Sequence, residues 1–127
     1  MNLDSLNRYQ WTDRPLLVFA DEDTSAQADK QAELLQNQYD QLTDRDMVVL
    51  WIGTSAPPGR KLHQQVTVSD QLRRKLDVPA EGFHALLIGK DGGVKLRTDE
   101  PVQPQRLYDL IDAMPMRRRE MSDQRFH

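Results

Sequence analysis

The 127-residue chain contains no cysteine. Without a thiol it has no disulfide, no Cys-x-x-Cys pair, no cysteine nucleophile and no thiolate metal ligand. Its longest apolar runs, residues 16–20 and 47–52, are far shorter than the ~20 residues that a membrane-spanning helix needs. Residues 1–10 lack the pattern of a signal peptide. We therefore expect one soluble domain over residues 1–127, with no transmembrane segment.

Positive charge is scarce in the first half of the chain. Residues 1–58 hold four basic and ten acidic side chains, and residues 59–127 hold thirteen basic and ten acidic ones. Neither half has the basic excess of a domain that binds nucleic acid, so we expect no nucleic-acid partner. The uneven distribution suits a protein partner.

The first half of the chain predicts two buried strands, residues 16–20 (LLVFA) and 47–52 (MVVLWI), because both runs are continuously apolar. Between them, Thr24 with Gln27 forms a capping-box pattern that starts a helix. Apolar residues then recur at steps of four and three, which predicts that this helix extends to about residue 43. Residues 53–65, with two adjacent prolines, are expected to form a loop.

The second half predicts a short helix over residues 69–76 and then a hairpin. Strands 84–89 and 94–98 flank an Asp-Gly pair that suits a tight turn. A last helix starts at Pro104 and ends before Pro115. We expect the domain core to cover about residues 14–115, with residues 116–127 as a polar, basic tail.

The predicted order is βαβαββα. It indicates an α/β, thioredoxin-like fold with a four-stranded mixed sheet and helices on both faces, because a crossover helix makes strands parallel while the hairpin is antiparallel. The rival, a receiver-type doubly wound fold, needs five parallel strands and an aspartate after the central one. Here the second strand ends in Gly53 and the last strand pair is a hairpin.

Several stretches of the chain resemble a known family. They are Trp11 and Arg14 before LLVFA, the run RDMVV, Gly82-Phe83 with LIGKDGGVKLR, and IDAMPMRRREM. Together they resemble bacterial domains of unknown function whose domain also occurs in equarin and the sushi-repeat-containing proteins. The resemblance implies a thioredoxin-like fold and supplies no reaction, cofactor or catalytic residue. It also implies a periplasmic or extracellular location if a signal peptide has been removed.

A thioredoxin-like fold places its cysteine pair at the start of the first helix. Here Asp23, Thr24 and Ser25 take that place, and Phe83 or His84 stands where a cis-proline would face it. We therefore expect neither disulfide exchange nor cysteine peroxidase activity.

An acidic and histidine pocket is a candidate site at the same place. Asp21, Glu22 and Asp23 would lie across from His84, and carboxylates with an imidazole can bind a metal or perform acid/base chemistry. We favour the simpler interpretation that Asp23 and Thr24 cap the helix and that His84 is hydrogen-bonded. We accordingly name no catalytic residue, no metal ligand and no cofactor.

Other polar and aromatic residues are weaker candidates. The basic patch Arg117, Arg118 and Arg119 could bind an acidic partner or satisfy carbonyl groups at a helix end. His63 is expected to be a solvated loop residue. Tyr9 and Trp11 are expected to pack on the core as lid residues.

Two functional hypotheses follow. The first is a redox-inactive, thioredoxin-like module that binds an unidentified protein through residues 21–25, Phe83 and the loop 53–65. The alternative is a non-redox enzyme or metal-binding protein that uses Asp21, Asp23 and His84. The sequence also leaves open a homodimer formed through an exposed sheet edge.

Overall fold

The computed structural model describes residues 1–59 and 61–125, with side chains described as far as residue 123. Six strands form one sheet: β1 (Asn2–Leu3), β2 (Arg14–Phe19), β3 (Met47–Ile52), β4 (His63–Val68), β5 (His84–Ile88) and β6 (Val94–Thr98). The α-helices are α1 (Ser25–Leu35), α2 (Tyr39–Asp44), α3 (Asp70–Lys75), α4 (Pro104–Asp112) and α5 (Pro115–Arg125). Short 3₁₀ turns cover Asn7–Tyr9 and Glu22–Thr24.

The sheet is mixed, with strand order β1-β4-β3-β2-β5-β6. Strand β2 is parallel to β3, in the register Leu16 to Val49, and antiparallel to β5, in the register Leu16 to Leu87. Strands β5 and β6 form the predicted antiparallel hairpin. The α/β class and mixed sheet are confirmed, but the sheet has six strands rather than four.

The two additional strands are β4 and β1. Residues 63–65 belong to β4, although the prolines before them predicted a loop that reached residue 65. Of the six side chains of β4 only Val66 is buried, so this strand lacks the apolar run that marks β2 and β3. Strand β1 has only two residues and pairs with Thr67 and Val68 of β4.

The core lies on both faces of the central strands, because successive side chains of a strand point to opposite sides. Leu16 and Trp51 pack in one apolar cluster with residues of α1 and α4. Leu17 and Leu50 pack in a second cluster with residues of α3 and of the chain before β2. The buried side chain of Gln31 in α1 bonds both the N–H and the carbonyl group of Val102, which ties α1 to the segment before α4.

The helices differ from the prediction in two places. The first predicted helix is broken between α1 and α2, where Asn37 adopts φ +64°, a conformation that asparagine tolerates better than most residues. Pro115 begins a helix instead of only ending one, since proline suits the first helical position. Residues 115–125 are therefore helical rather than a tail, and residues 126–127 lie outside the described part.

Within the part of the chain that the structure describes, none of the helices has the length and apolar character needed to cross a membrane.

Candidate functional site

At the end of β2, where a pocket was predicted, the carboxylate of Asp21 is hydrogen-bonded to groups of its own chain. Oδ1 of Asp21 accepts from the backbone N–H of Thr24 at 2.9 Å and from its hydroxyl at 2.8 Å. Oδ2 of Asp21 accepts from the backbone N–H of Gly82 at 2.8 Å. These bonds, that of Gly82 first, lower the pKa of Asp21. Asp21, rather than Asp23, is thus the capping carboxylate, and it also ties the helix start to the chain before β5.

His84 does not join this carboxylate. Its Nε2 lies 2.9 Å from the carbonyl oxygen of Glu81, and it pairs in register with Phe19. Phe83 is only 3% exposed and belongs to the core. Glu22, Asp23 and Ser25 are exposed. The structure therefore brings Asp21 and Thr24 together as a cap, and among the described residues no three His, Asp or Glu side chains form a metal-binding group.

A cavity of about 280 Å³ opens at the opposite end of the sheet, between the residues before β2, the β5–β6 hairpin and the α4–α5 junction. We call it the basic cavity. Its apolar lining consists of Trp11, Met114, Pro115 and Met116, beside Gly89. Its charged lining consists of four cationic side chains, Arg14, Lys90, Lys95 and Arg119, and one carboxylate, that of Asp91.

Two of these cations form the inner wall and are held by carboxylates. Arg14 is 1% exposed, and both its terminal nitrogens bond the carboxylate of Glu120 at 3.2 and 3.1 Å. Lys90 is 8% exposed and bonds Glu120 at 2.9 Å and Asp46 at 2.7 Å. Burial alone would lower the pKa of Lys90, but its bonds to Asp46 and Glu120 raise it. The inner wall is therefore a fixed, fully charged framework.

The three arginines of the predicted basic patch have different environments. Arg117 is 3% exposed and forms ion pairs with Asp44 at 2.7 Å and Asp112 at 3.1 Å, and its NH1 donates to the carbonyl of Asp44 at the end of α2. Arg118 and Arg119 are exposed, and only Arg119 lines the basic cavity. Arg117 thus docks α5 internally, whereas Arg119 is available to a ligand.

Trp11 stands at the mouth of the basic cavity. Its side chain is 60% exposed, and its backbone has φ +72° while its N–H donates to the carbonyl of Lys90 at 2.6 Å. Tyr9, by contrast, is buried in the core. The expectation that both residues pack as a lid is correct for Tyr9 and wrong for Trp11. Trp11 is therefore an exposed aromatic side chain beside the basic cavity rather than a core residue.

Sequence reasoning missed Arg14, Lys90 and Glu120 as site residues. Arg14 and Lys90 lie directly beside predicted strands, and Glu120 lies in the segment expected to be a tail. At such positions a charged residue is predicted to be exposed to solvent. One signal was present: Arg14, Arg45-Asp46, the GKDGGVKLR run and the DAMPMRRREM run all carry the family resemblance, and all converge on this end of the domain.

Residues 5–120 match the family described as Domain of unknown function (DUF4174). The chain belongs to this family. It is also 31% identical over 137 residues to coiled-coil domain-containing protein 80 of Danio rerio, an alignment that covers 94% of this chain and 16% of that protein. The DUF4174 domain described here thus spans a small part of the length of that relative. The link to equarin and the sushi-repeat-containing proteins stays a prediction.

Solved structures of thioredoxin-like proteins are similar to this DUF4174 domain. Thioredoxin peroxidase I of Plasmodium yoelii superposes with a TM-score of 0.62 at 18% identity, over 90% of this chain and 79% of that one. A DsbF homologue from Corynebacterium diphtheriae gives 0.62 at 16% identity, over 86% and 76%. A thiol:disulfide interchange protein from Bacteroides sp. gives 0.57 at 14% identity, over 84% and 75%. These likenesses confirm the predicted thioredoxin-like fold, and at such identities they show the fold alone.

Proposed function

We propose that this DUF4174 domain is a redox-inactive protein-binding module, and that its basic cavity takes an acidic segment of a partner protein. The observation that carries the proposal is the lining of the cavity, which holds four cationic side chains, one of which, Arg119, is exposed and has no ion pair among the described side chains. Thiol chemistry is unavailable to a chain without cysteine. This surface replaces the one around residues 21–25 and Phe83, because Phe83 is buried and Asp21 is already hydrogen-bonded.

The outer cations are the ones that a ligand would contact. The side chain of Lys95 is 33% exposed and shares its charge with Asp91, 2.8 Å away. Arg119 is exposed and forms no ion pair with any described side chain. Arg14 and Lys90 are held and balanced in charge by Glu120 and Asp46, so they shape the inner wall. Arg119 is the cation that remains to pair with a ligand carboxylate, and Lys95 can do so by exchanging Asp91 for the ligand.

The apolar lining sets a second requirement on the ligand. Trp11 and the half-buried Met114 and Met116 line the cavity, and tryptophan and methionine side chains are common anchors at binding surfaces. A ligand that contacts both the cationic and the apolar part of the lining has a carboxylate next to a large apolar side chain. An acidic peptide segment with interspersed leucine or phenylalanine has this chemistry, whereas a polyphosphate backbone lacks the apolar part.

The test is a binding titration with labelled peptides, followed by fluorescence anisotropy. The probe peptide alternates glutamate and leucine, and its matched control has glutamine in place of glutamate. We expect at least tenfold tighter binding of the glutamate peptide and a loss of about tenfold in the Arg119→Glu variant, because a favourable charge contact becomes a repulsive one. The matched variant Arg118→Glu changes the net charge equally on the same helix but does not line the cavity, so we expect less than about a twofold change.

Three outcomes would overturn this proposal. One is equal binding of the glutamate and glutamine peptides. Another is an equal loss in Arg118→Glu and Arg119→Glu, which would indicate unspecific attraction by net charge. A third is full competition by a single-stranded oligonucleotide at equal charge concentration, which would show that any polyanion suffices.

A further inference from the structure

A second cavity lies between the C-terminal end of α1 and the loop that follows β3. We call it the neutral groove. Its volume is about 450 Å³, within the range of small-molecule sites. Leu35, Pro57, Pro58 and Leu62 form apolar parts of its lining, and Glu33 and His63 are among its polar parts. Nothing in the proposed acidic-segment binding uses this groove.

A hydrogen bond from a buried tryptophan selects one tautomer of His63. The indole Nε1–H of Trp51, a side chain only 1% exposed, donates to Nδ1 of His63 at 3.1 Å. Nδ1 is therefore an acceptor without a proton, and the neutral ring carries its proton on Nε2. Burial also lowers the pKa of His63, which favours the neutral ring. The expectation of a solvated loop histidine was wrong.

The ring of His63 is also held in place by the loop backbone. A Cβ atom at Gly59 would lie 2.4 Å from Cδ2 of His63, so a larger residue at position 59 would force the ring or the loop to shift. The Trp51 and His63 ring centroids are 5.9 Å apart. With Nδ1 bonded and the ring packed, the Nε2–H group is a positioned donor that has no partner among the described residues.

We infer that the neutral groove binds a small, uncharged, mainly apolar molecule whose carbonyl-type oxygen accepts a hydrogen bond from Nε2–H of His63. The acidic side chain of Glu33 lines the groove and disfavours a carboxylate or phosphate as the ligand. A neutral ligand with a single acceptor fills the apolar walls and satisfies the free donor.

The test uses two probe molecules of nearly equal shape. Acetophenone carries a carbonyl oxygen where α-methylstyrene carries a methylene group. Titration of the ¹⁵N-labelled chain is followed through the indole N–H signal of Trp51, with that of Trp11 as an internal reference. We expect a saturable shift of the Trp51 signal by acetophenone, binding at least fivefold weaker for α-methylstyrene, and weaker binding of benzoate than of acetophenone.

A variant then tests the donor itself. His63→Asn retains an acceptor near Trp51, and its shorter amide does not place an N–H group at the position of Nε2, so the preference for acetophenone over α-methylstyrene should disappear. His84→Asn, which changes a histidine outside the groove, should retain it. The inference is overturned if acetophenone does not saturate, if the two probes bind equally to the unaltered protein, if benzoate binds best, or if the preference survives in His63→Asn. The comparison of probes on the unaltered protein decides the matter even where the variant fails to fold.

Discussion

Charged side chains have different partners at the two ends of the central sheet. At the end where β2 leads into α1, the carboxylate of Asp21 accepts hydrogen bonds from N–H and O–H groups of its own chain and forms no ion pair with a described side chain. At the other end, the cations Arg14, Lys90 and Arg117 are buried and paired with Glu120, Asp46, Asp44 and Asp112. Buried ion pairs contribute little net stability, but removing one partner leaves a costly unpaired charge. The comparison shows that the buried ion pairs of this domain lie at the end of the sheet away from the start of α1.

The largest expected effect is that of Glu120→Gln. This change leaves the charges of Arg14 and Lys90 without their shared carboxylate, and we expect a loss of about 3 kcal/mol in the free energy of unfolding. Urea unfolding at pH 7 measures it. The control Glu100→Gln removes an exposed carboxylate that forms no ion pair with a described residue, and it should change the free energy by less than about 0.5 kcal/mol. An equal loss of unfolding free energy in Glu120→Gln and Glu100→Gln would show that the buried ion pairs at this end of the sheet have no special importance for stability.

The same carboxylate should make stability depend on pH. Burial alone would raise the pKa of Glu120, but bonds from Arg14 and Lys90 outweigh it and hold that pKa below its ordinary value of about 4.3. Its contribution is therefore complete above that value and is lost as the pH falls through the lower, folded-state pKa. The free energy of unfolding between pH 7 and pH 2.5 should fall less steeply in Glu120→Gln than in the unaltered protein. Parallel curves would show that other carboxylates control acid unfolding.

A smaller effect is expected at the other end from Asp21→Asn. The amide retains one acceptor but cannot accept from both Thr24 and Gly82 in the present geometry, so the helix start and the chain before β5 should loosen locally. Amide hydrogen exchange should accelerate at Thr24 and Gly82 while the core strands stay protected. Asp23→Asn is the matched control, because Asp23 is exposed. If Asp21→Asn lost as much unfolding free energy as Glu120→Gln, the two ends of the sheet would contribute equally to stability, contrary to our expectation.

The smallest effect on stability is expected from Arg119→Glu. Arg119 is exposed and forms no ion pair with a described side chain, so the free energy of unfolding should change by no more than about 0.5 kcal/mol. Thermal unfolding measures this change. Peptide binding should nevertheless fall about tenfold, as argued for the basic cavity. A variant that unfolds would show that Arg119 belongs to the fixed framework with Arg14 and Lys90 rather than to the ligand-contacting rim.

Local patterns predicted the central elements of the fold. The runs LLVFA and MVVLWI are apolar throughout because β2 and β3 are covered on both faces, and the Asp91-Gly92 turn marks the hairpin directly. By contrast, β4 contributes one buried side chain although it lies between β1 and β3, and no apolar pattern in the sequence marks such a strand. The break at Asn37 was also missed, since the apolar spacing continues through it.

The amino-acid sequence alone thus determined the thioredoxin-like class and the absence of thiol chemistry, since both follow from neighbouring residues or from composition. Only the tertiary structure decided where the candidate sites lie. The basic cavity assembles Trp11, Lys90 and Arg119 from three distant parts of the chain, and the neutral groove depends on a tryptophan that selects one tautomer of His63. The sequence does not show which group a charged or imidazole side chain will contact, so such a residue is predicted to be exposed to solvent. Folding supplies the burial and the partners that convert it into a positioned group.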